Sequence, residues 1–466
     1  MNSAPPDRAN PGKKAKPPIG RNFNRFWFGS LSSNLADGLM LTALPLIAAM
    51  LTNDPLLVSL LAVARFLPWL LFGLFAGAVV DRVDRVRLMV GVNVVRAALI
   101  AGLAAVVATG SATIWVLIVV MFMAMTCEVF YDLAGRAMLP DIVRAGTIDR
   151  ANGRLISGQT ITEDFGGAPL AGFLFVVAAS LPLAVNAGAY LVGALVLLGL
   201  PLAVRRPAQP EGAETKEAEP SGNPFRSILT EIGAGMRYTF GDASLRSLVL
   251  FGAITNIGIM AMNAVMVLLV RDHFGVPAAL FGVFMSATAV GAIIGAALTG
   301  RLVARFGRFP IQVVGFLLQS LSCVVVGLAP NAYTAAAAWV LLGGIATVCN
   351  TVMVSAIQVV VPGSMLGRMM SCAQCLGYGL TPVGSLLGGL IGRIDLRFPA
   401  IFAGVLILVA LLTVLPALRD FARRAGEVER AARDWEAREG QVDRGRDLDQ
   451  GESREDPGHE EGWKEP

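Results

Sequence analysis

The sequence predicts an all-α membrane protein whose twelve transmembrane helices form two homologous six-helix halves. Apolar residues make up 55% of the 466 residues and charged residues only 15%, against roughly 25% charged residues in an ordinary soluble chain. The mean hydropathy is +0.64. Polar residues concentrate in three segments, 1–23, 206–243 and 419–466, and the chain between them is long enough for twelve apolar spans of about 20 residues. A further observation, an internal repeat, divides these spans into two sets of six.

The predicted spans follow the apolar runs and end at the polar turns between them. We expect helices, in chain order, at about 24–51, 56–80, 88–109, 113–135, 151–178, 181–204, 244–270, 277–300, 310–329, 332–361, 367–392 and 398–418. The chain then divides into a basic cytoplasmic N-terminal tail at 1–23, a first half at 24–205, a cytoplasmic linker at 206–243, a second half at 244–418 and a charged cytoplasmic tail at 419–466. The last segment mixes acidic and basic residues, so we expect it to be largely disordered.

Part of the linker has an amphipathic pattern. Residues 225–239 can align one apolar stripe on a helix, made of Phe225, Ile228, Leu229, Ile232 and Met236. Such a stripe predicts a helix that lies along the inner membrane surface. A simple tether between the halves is the alternative.

The internal repeat is clearest in the loops. The loop after the second span reads Gly77-x-x-x-Asp81-Arg82-x-Asp84-Arg85, and the loop after the eighth reads Gly300-x-x-x-Ala304-Arg305-x-Gly307-Arg308. Leu139-Pro140-Asp141, before the fifth span, likewise matches Val361-Pro362-Gly363, before the eleventh. Duplicated halves normally meet around a substrate site near the bilayer midplane and rock about it. The repeat therefore predicts transport by alternating access.

Composition excludes several other classes of protein. The only histidines, His273 and His459, lie outside the apolar runs, so no imidazole cluster is available to bind a metal. The five cysteines lie in apolar segments, which does not fit a secreted disulfide framework. No lysine follows the glycine pattern of a phosphate-binding loop, and a net charge of +4 without a basic patch does not fit nucleic-acid binding. We expect no enzyme activity, metal, cofactor or nucleic-acid partner.

Lysine and arginine orient the predicted bundle. Positively charged loops stay on the cytoplasmic side of a membrane. Most of the 38 basic residues fall on one side of the predicted spans, and only Arg271, Arg393 and Arg397 fall on the other. We therefore expect a multi-pass protein of a bacterial inner membrane, with both termini in the cytoplasm, acting as a monomer in the lipid bilayer.

The loop motif also indicates a family. The segment from Gly77 to Arg87 resembles the signature loop of the major facilitator superfamily, with Asp84 where that family usually has glycine and Val86 where a second basic residue is common. Further motifs resemble its macrolide-efflux and siderophore-export (enterobactin-type) branch over residues 24–418: Phe66-Leu67-Pro68-Trp69, Glu128-Val-Phe-Tyr131-Asp132 and Leu139-Pro140-Asp141. The resemblance implies the major facilitator fold and proton-driven export of a small molecule. It also implies that four loop residues act in gating, namely Gly77, Asp81, Arg82 and Arg85, with Asp81 helping to hold the halves together in the outward-open state.

The fifth span carries a pattern of small residues and proline. Gly158, Gly166-Gly167-Ala168-Pro169 and Gly172 are similar to the motif that marks antiporters in this superfamily, although Ala168 and Phe173 stand where that motif has glycine. Small residues let helices approach closely and proline permits a bend, so we expect Pro169 to act in gating. Close packing alone is the alternative. The fourth span lacks the arginine found in many drug:proton antiporters.

Ionisable residues within the spans are concentrated in the first half. Each costs ~2.5–3.5 kcal/mol to insert, so each needs a partner or a purpose. Asp37 lies near the predicted midplane and Arg65 at a compatible depth, so we expect them to pair, either to couple a proton or as a static ion pair. Arg96 is also embedded, without a predicted partner. With no histidine available, a carboxylate must carry any proton, and the predicted coupling residues are Asp37, Arg65, Glu128 and Glu163. We expect Asp37 to carry the exchanged proton, with its distance to Arg65 as the switch, and Glu128 and then Glu163 to be the next candidates.

Polar and flexible side chains at helical spacing predict the substrate site. We expect it to be lined by Asn34 and Met125 in the first half and, in the second half, by Asn256, Met260, Asn263, Gln374 and Tyr378. Hydrogen-bonding groups beside apolar surface are the usual lining of a small-molecule pocket. Hydrogen bonds between helices are the alternative at any one of these positions.

Together these features predict a proton-driven exporter of a small amphiphilic molecule, such as a drug, a macrolide or a siderophore. Uptake of a nutrient by proton symport is the alternative within transport. A nontransporting scaffold or sensor is the alternative outside it, but a scaffold gains nothing from the insertion cost of the embedded charges.

Overall fold

The computed structural model describes residues 20–80, 82–143, 147–200, 233 and 235–452. Helices form the regular structure of these ranges, which contain no β-strand. Eleven helices in them are long and apolar enough to cross a membrane. The remaining crossing is the fifth in chain order, and a π-helical turn divides it into three consecutive helical segments. The predicted fold class is therefore confirmed.

The first half contains six crossings. Its elements are α1 (Arg21–Leu51), α2 (Pro55–Val80), α3 (Arg85–Ala108), α4 (Ile114–Ile142), α5 (Ile148–Gln159), the π-helical segment π1 (Thr160–Gly167), α6 (Ala168–Val177) and α7 (Leu181–Leu198). The segments α5, π1 and α6 follow one another without a break and form the fifth crossing.

The second half repeats this arrangement. Its elements are α8 (Ala243–Leu268), a short π-helical extension π2 (Leu269–His273), α9 (Ala278–Phe306), α10 (Arg308–Leu328), α11 (Ala332–Val360), α12 (Gly363–Gly392) and α13 (Phe398–Glu452). Most of the amphipathic stripe predicted at 225–239 lies outside the described residues.

Polar residues in the turns set where several helices begin. Asp84 accepts a hydrogen bond from the backbone N–H of Arg87 at 2.9 Å and caps α3. Asp242 caps α8 through two backbone N–H groups, and Asn331 caps α11 through that of Thr334. Such caps satisfy N–H groups that have no partner within the helix.

The helix packing follows the same plan in both halves. In the first half, α1 and α3 pack against α7, and α2 and α3 pack against α4. In the second half, α8 and α10 pack against α13, and α9 and α10 pack against α11. Each helix of the first half therefore has a counterpart with the same neighbours in the second half, as the sequence repeat requires.

The last helix differs from the sequence prediction. The predicted span ends at 418 and is followed by a disordered tail, whereas α13 continues to Glu452. Its polar part packs on the second half, because Phe421 and Ala425 lie four residues apart on one face and are both buried. Arg424 adds an ion pair to Asp242 at 2.7 Å.

Two helix pairs make most of the contacts between the halves: α2 with α12 and α6 with α9. The polar contacts between the halves concentrate at the end of the bundle that carries residues 52–54, which we name the closed end. Toward the opposite end, named the open end, a Cβ at Gly73 or Gly77 of α2 would have no atom of another described helix within 4 Å. The halves therefore meet at one end and diverge toward the other.

Candidate functional site

A buried arginine in the first half is shared by two carboxylates. Arg96 of α3 is 0% exposed, and its guanidinium forms ion pairs with Asp37 of α1 and, at 2.5 Å, with Glu128 of α4. The three side chains come from three helices that pack together in one half. We name this cluster the Arg96 triad.

Asp37 is the more firmly held of the two acids. The Tyr190 hydroxyl donates a hydrogen bond to Asp37 Oδ1 at 2.6 Å, and Arg96 Nη2 donates to the same oxygen. The Tyr190 ring also lies under the guanidinium, with its centroid 4.0 Å from Arg96 Cζ, which is a cation–π distance. Tyr190 was missed by the sequence analysis because a tyrosine in an apolar run carries no distinguishing spacing.

Arg96 holds Glu128 through charge, without a hydrogen bond. Its Oε2 lies 2.5 Å from Arg96 Nη1 but without the alignment of a hydrogen bond. Its side chain is 16% exposed, against 9% for Asp37. Asp132 lies one helical turn further along α4, toward the open end, and interacts with Glu128. Glu128 is therefore the more accessible acid of the triad.

The predicted pairing of Asp37 with Arg65 is wrong in this conformation. Asp37 pairs with Arg96 instead, and Arg65 of α2 forms no ion pair with any described residue. Its guanidinium lies 5.1 Å from the centroid of the Phe66 ring. Among the acids, Glu163 has the strongest electrostatic interaction with it, and Asp37 the next strongest. The sequence gives the depth of each charge but not the direction in which its helix turns it.

Glu163 lies on π1, next to α1. Gln159 Nε2 donates a hydrogen bond to its carboxylate at 3.0 Å, as their shared helical face predicts. The backbone of Glu163 packs directly on Gly38, the neighbour of Asp37, where a Cβ would collide with it. The carbonyl oxygen of Asp164, the next residue of π1, accepts a hydrogen bond from the Ser286 hydroxyl of the second half. The π-helical turn thus lies between the Arg96 triad and the second half.

Aromatic rings mark the place where the halves begin to diverge. Trp69 of α2 and Tyr378 of α12 stack across the two halves with centroids 6.1 Å apart. Phe72 of α2 meets Phe122 of α4 one turn closer to the open end, at 6.3 Å. This arrangement presents flat apolar surface near the divergence, with the exposed Tyr378 at its edge.

The other predicted substrate residues differ in their exposure and contacts. Asn34 and Met260 are half-buried, and Asn263 and Gln374 are exposed. Met125 is 5% exposed and packs in the core, so its predicted place in the lining is not found in this conformation. Asn256 donates hydrogen bonds to the Gly377 carbonyl and to Thr381 Oγ1, both at 2.9 Å, which is the helix-to-helix alternative.

Three of the predicted gating residues, Gly77, Arg82 and Arg85, lie at the open end. Arg85 donates to Asp141 at 2.7 Å and to the Ala137 carbonyl at 2.9 Å, which ties the loop after α2 to the end of α4. Arg82 is exposed, and Asp81 lies outside the described residues. Pro169 lies on α6 where it meets Gly282 of α9, so it belongs to an interface between the halves.

A second set of polar contacts locks the closed end. Arg393 forms a two-point ion pair with Asp54, at 2.8 Å and 2.5 Å, and Asp54 also caps α2 through the N–H of Leu56. The Arg393 guanidinium is the main cause that lowers the pKa of Asp54. Arg271 adds hydrogen bonds to the Ala49 carbonyl and to Asn53. The distribution of basic residues in the sequence predicts both arginines on this side but does not identify their partners.

Twelve crossings in two repeated halves, closed at one end, with a buried ionic cluster in one half, define a membrane transporter of the major facilitator type. A solved structure of a bacterial homologue of the iron transporter ferroportin, in an inward-facing state, matches the fold with a TM-score of 0.68 and 14% identity, covering 86% of this chain and 98% of that chain. No described group of three or more His, Cys, Asp or Glu side chains is placed to hold a metal ion.

The chain belongs to the transmembrane secretion effector family, whose model matches residues 16–444. It is 22% identical to macrolide efflux protein A of Streptococcus pyogenes over 409 residues, which cover 86% of this chain and 96% of that protein. It is 26% identical to the multidrug efflux pump Tap of Mycolicibacterium fortuitum over 430 residues, covering 84% and 95%. The predicted family is confirmed, and the protein is a transporter rather than an enzyme.

Proposed function

We propose that this protein exports a small amphiphilic organic molecule, of macrolide, drug or siderophore type, in exchange for protons. The observation that carries the proposal is the Arg96 triad. The relatives named for macrolide and multidrug efflux support the direction and the kind of substrate.

The charges of the triad suit it to hold one exchangeable proton. With both carboxylates ionised, the one guanidinium leaves an excess negative charge in a site where charge is costly. Uptake of a single proton makes the cluster neutral. Loss of that proton restores the excess charge, so the two forms differ strongly in their tolerance of water and of a neighbouring substrate.

Glu128 is the proposed exchanger and Asp37 the proposed anchor. Asp37 accepts hydrogen bonds from both Arg96 and Tyr190, so its carboxylate is held in place by two donors. Glu128 has no hydrogen bond to Arg96, is more exposed, and lies one helical turn from Asp132, which is nearer the open end. Glu163 is the second candidate, opposite Arg65.

The contacts around π1 offer a route from proton to conformation. Asp37 is the chain neighbour of Gly38, and Gly38 packs on π1. The Ser286 hydroxyl of the second half donates a hydrogen bond to the Asp164 carbonyl of π1. A π-helical turn is less regular than an α-helix and often occurs at functional sites. A change of charge in the triad can therefore alter the position of π1 against α9, and with it the angle between the halves.

The proposed orientation places the open end in the cytoplasm. Most basic loops lie at that end, so the described conformation is inward-facing, ready to receive substrate. The apolar part of the substrate would rest on the Trp69 and Tyr378 rings, near the exposed polar side chain of Gln374, which is one helical turn from Tyr378 on α12. Energetically, one proton crossing at roughly 100 mV and one pH unit supplies ~3.7 kcal/mol, enough for a ~500-fold gradient of neutral substrate.

Accumulation in everted membrane vesicles tests the proposal. Vesicles containing the protein are energised by respiration and offered radiolabelled erythromycin, a fluoroquinolone and a catechol siderophore in turn. We expect at least one compound to accumulate, and a protonophore to abolish its accumulation. Accumulation that persists with the protonophore, or uptake only into right-side-out vesicles, contradicts the proposal.

Matched substitutions then locate the coupling. Glu128→Gln should lower proton-driven accumulation at least tenfold while leaving binding of the same compound in place. Asp164→Asn, which removes an embedded acid of the same half that forms no ion pair with a described residue, serves as the control and should keep most of the activity.

A further inference from the structure

A groove lies at the open end of the second half, between α10 and the polar extension of α13. It consists of two adjoining depressions with volumes of about 520 and 420 Å³. Phe309, Arg419 and Arg423 line both. Neither depression belongs to the transport site, which lies in the other half and between the halves.

The walls of the groove carry an excess of positive charge. Three arginines line it, Arg308, Arg419 and Arg423, against two acids, Asp420 and Glu429. The acids are already engaged: Asp420 accepts from Ser244 at 2.8 Å and pairs with Arg423 and Arg424, each at 2.8 Å, and Glu429 pairs with Arg308 at 2.6 Å. The Arg423 side chain is nevertheless 65% exposed, so its guanidinium is accessible to a ligand in the groove.

Two donor groups at the groove are left without partners. Arg419 is exposed and forms no hydrogen bond or ion pair with any described residue. The second terminal nitrogen of Arg308, Nη1, is buried and has no partner either. A guanidinium group can bind two oxygens of one phosphate through two parallel N–H groups.

The floor of the groove is apolar and lies where the last span leaves the membrane. Leu415 and Pro416 form its membrane side, near the end of the apolar run of α13. Pro416 cannot donate the backbone hydrogen bond of its helical turn, which loosens the helix at this point. Arginines therefore stand directly above apolar side chains, at the level of lipid headgroups.

We infer that this groove binds the headgroup of an anionic phospholipid, with the phosphate on Arg419 and Arg423 and an acyl chain along Leu415 and Phe309. Basic pockets between transmembrane helices at a membrane surface have the charge and position to bind such headgroups. The inference is independent of the transported substrate and of proton coupling.

Native mass spectrometry of the purified, full-length protein tests the inference. The protein is titrated with phosphatidylglycerol and, separately, with phosphatidylcholine, without substrate or pH gradient. We expect tighter binding of phosphatidylglycerol. Arg419→Gln with Arg423→Gln should weaken it about 25-fold, or about fivefold for each arginine.

A matched double variant serves as the control. Arg246→Gln with Arg430→Gln removes two exposed arginines at the same end that do not line the groove, and should leave binding unchanged. If the double groove variant does not fold, Arg419→Gln alone suffices, because Arg419 supports no contact of the described fold.

Three results would overturn the inference: equal binding of the two lipids by the wild type, equal losses in the groove and control variants, or complete displacement of phosphatidylglycerol by inorganic phosphate. The last result would mean that the groove recognises a free anion and that the apolar floor has no part in binding.

Discussion

Arg308, the first residue of α10, forms an ion pair with Glu429 of the extended last helix at 2.6 Å. Its counterpart in the first half, Arg85, pairs with Asp141 at 2.7 Å. In the second half, the position that matches Asp141 is Gly363, which has no side chain to pair with Arg308. Glu429, on the polar extension of α13 beyond the repeat, therefore takes the place of the missing acid as the partner of Arg308.

This relationship predicts a structural role for Glu429. Glu429→Gln leaves the largely buried Arg308 without a counter-charge, and because Glu429 is 39% exposed the loss should be modest, about 1 kcal/mol. Thermal unfolding of the purified protein should show a lower midpoint. The control is Glu427→Gln, since Glu427 reaches only Arg423, at 3.6 Å on the surface. Equal midpoints for both variants would contradict the role.

The closed end predicts a conformational effect of Asp54. Asp54→Asn removes the two-point pair to Arg393 that joins the halves, so the population open at that end should rise. Spin labels at Ser111 and Tyr333, in a cysteine-free background, report the distance between the halves there. Asp395→Asn is the control, because Asp395 pairs with Arg397 within one half. A wild-type distance distribution in Asp54→Asn would show that the pair does not hold this end.

The effect of Asp54 should not depend on pH near neutrality. Its pKa is lowered by Arg393 from an ordinary value of about 3.9, so the ionised, paired form is favoured at any pH above that value. The stabilisation is lost only as the pH falls through the lowered pKa. The difference between wild type and Asp54→Asn should therefore be the same at about pH 5.5 and 7.5. A difference that disappears at the lower pH would mean that Asp54 is not held ionised.

The glycines of π1 predict a difference between neighbours. A Cβ at Gly167 would stand 2.8 Å from Gly38 Cα and from the Leu35 carbonyl oxygen, whereas one at Gly166 would meet its nearest atoms at 3.4 Å. Gly167→Ala should destabilise the protein by about 1–3 kcal/mol, and Gly166→Ala by much less. Thermal unfolding of the two variants checks this, and equal stabilities would mean that π1 can move away from α1 at little cost.

Much of the fold is predictable from the sequence because a bilayer imposes simple rules. Apolar runs of sufficient length must be helices, and the repeat of Gly77 to Arg85 at Gly300 to Arg308 pairs the halves. The extension of α13 is not predictable in this way. Its charged composition favours solvation, whereas contacts far away in the sequence hold its first turns on the second half: the packing of Phe421 and Ala425 and the ion pairs of Arg424 and Glu429.

The candidate site could be predicted only in part. Sequence gives the number and depth of embedded charges, and so identifies Asp37 and Glu128. It does not give the rotation of each helix about its axis, which decides that Arg96, and not Arg65, faces Asp37. Arg96 could have been found by seeking a cation at the depth of both acids. Nothing in the local sequence distinguishes Tyr190.

The central claim is that Glu128 holds the exchangeable proton of the Arg96 triad. Infrared spectroscopy of the purified protein during a pH titration tests it most directly, because a protonated carboxyl group has a C=O band that an ionised one lacks, and no substrate is needed. We expect wild type and Asp164→Asn to share one such band that appears on acidification and is missing from Glu128→Gln. A Glu128→Gln spectrum that keeps every band of the wild type would contradict the claim.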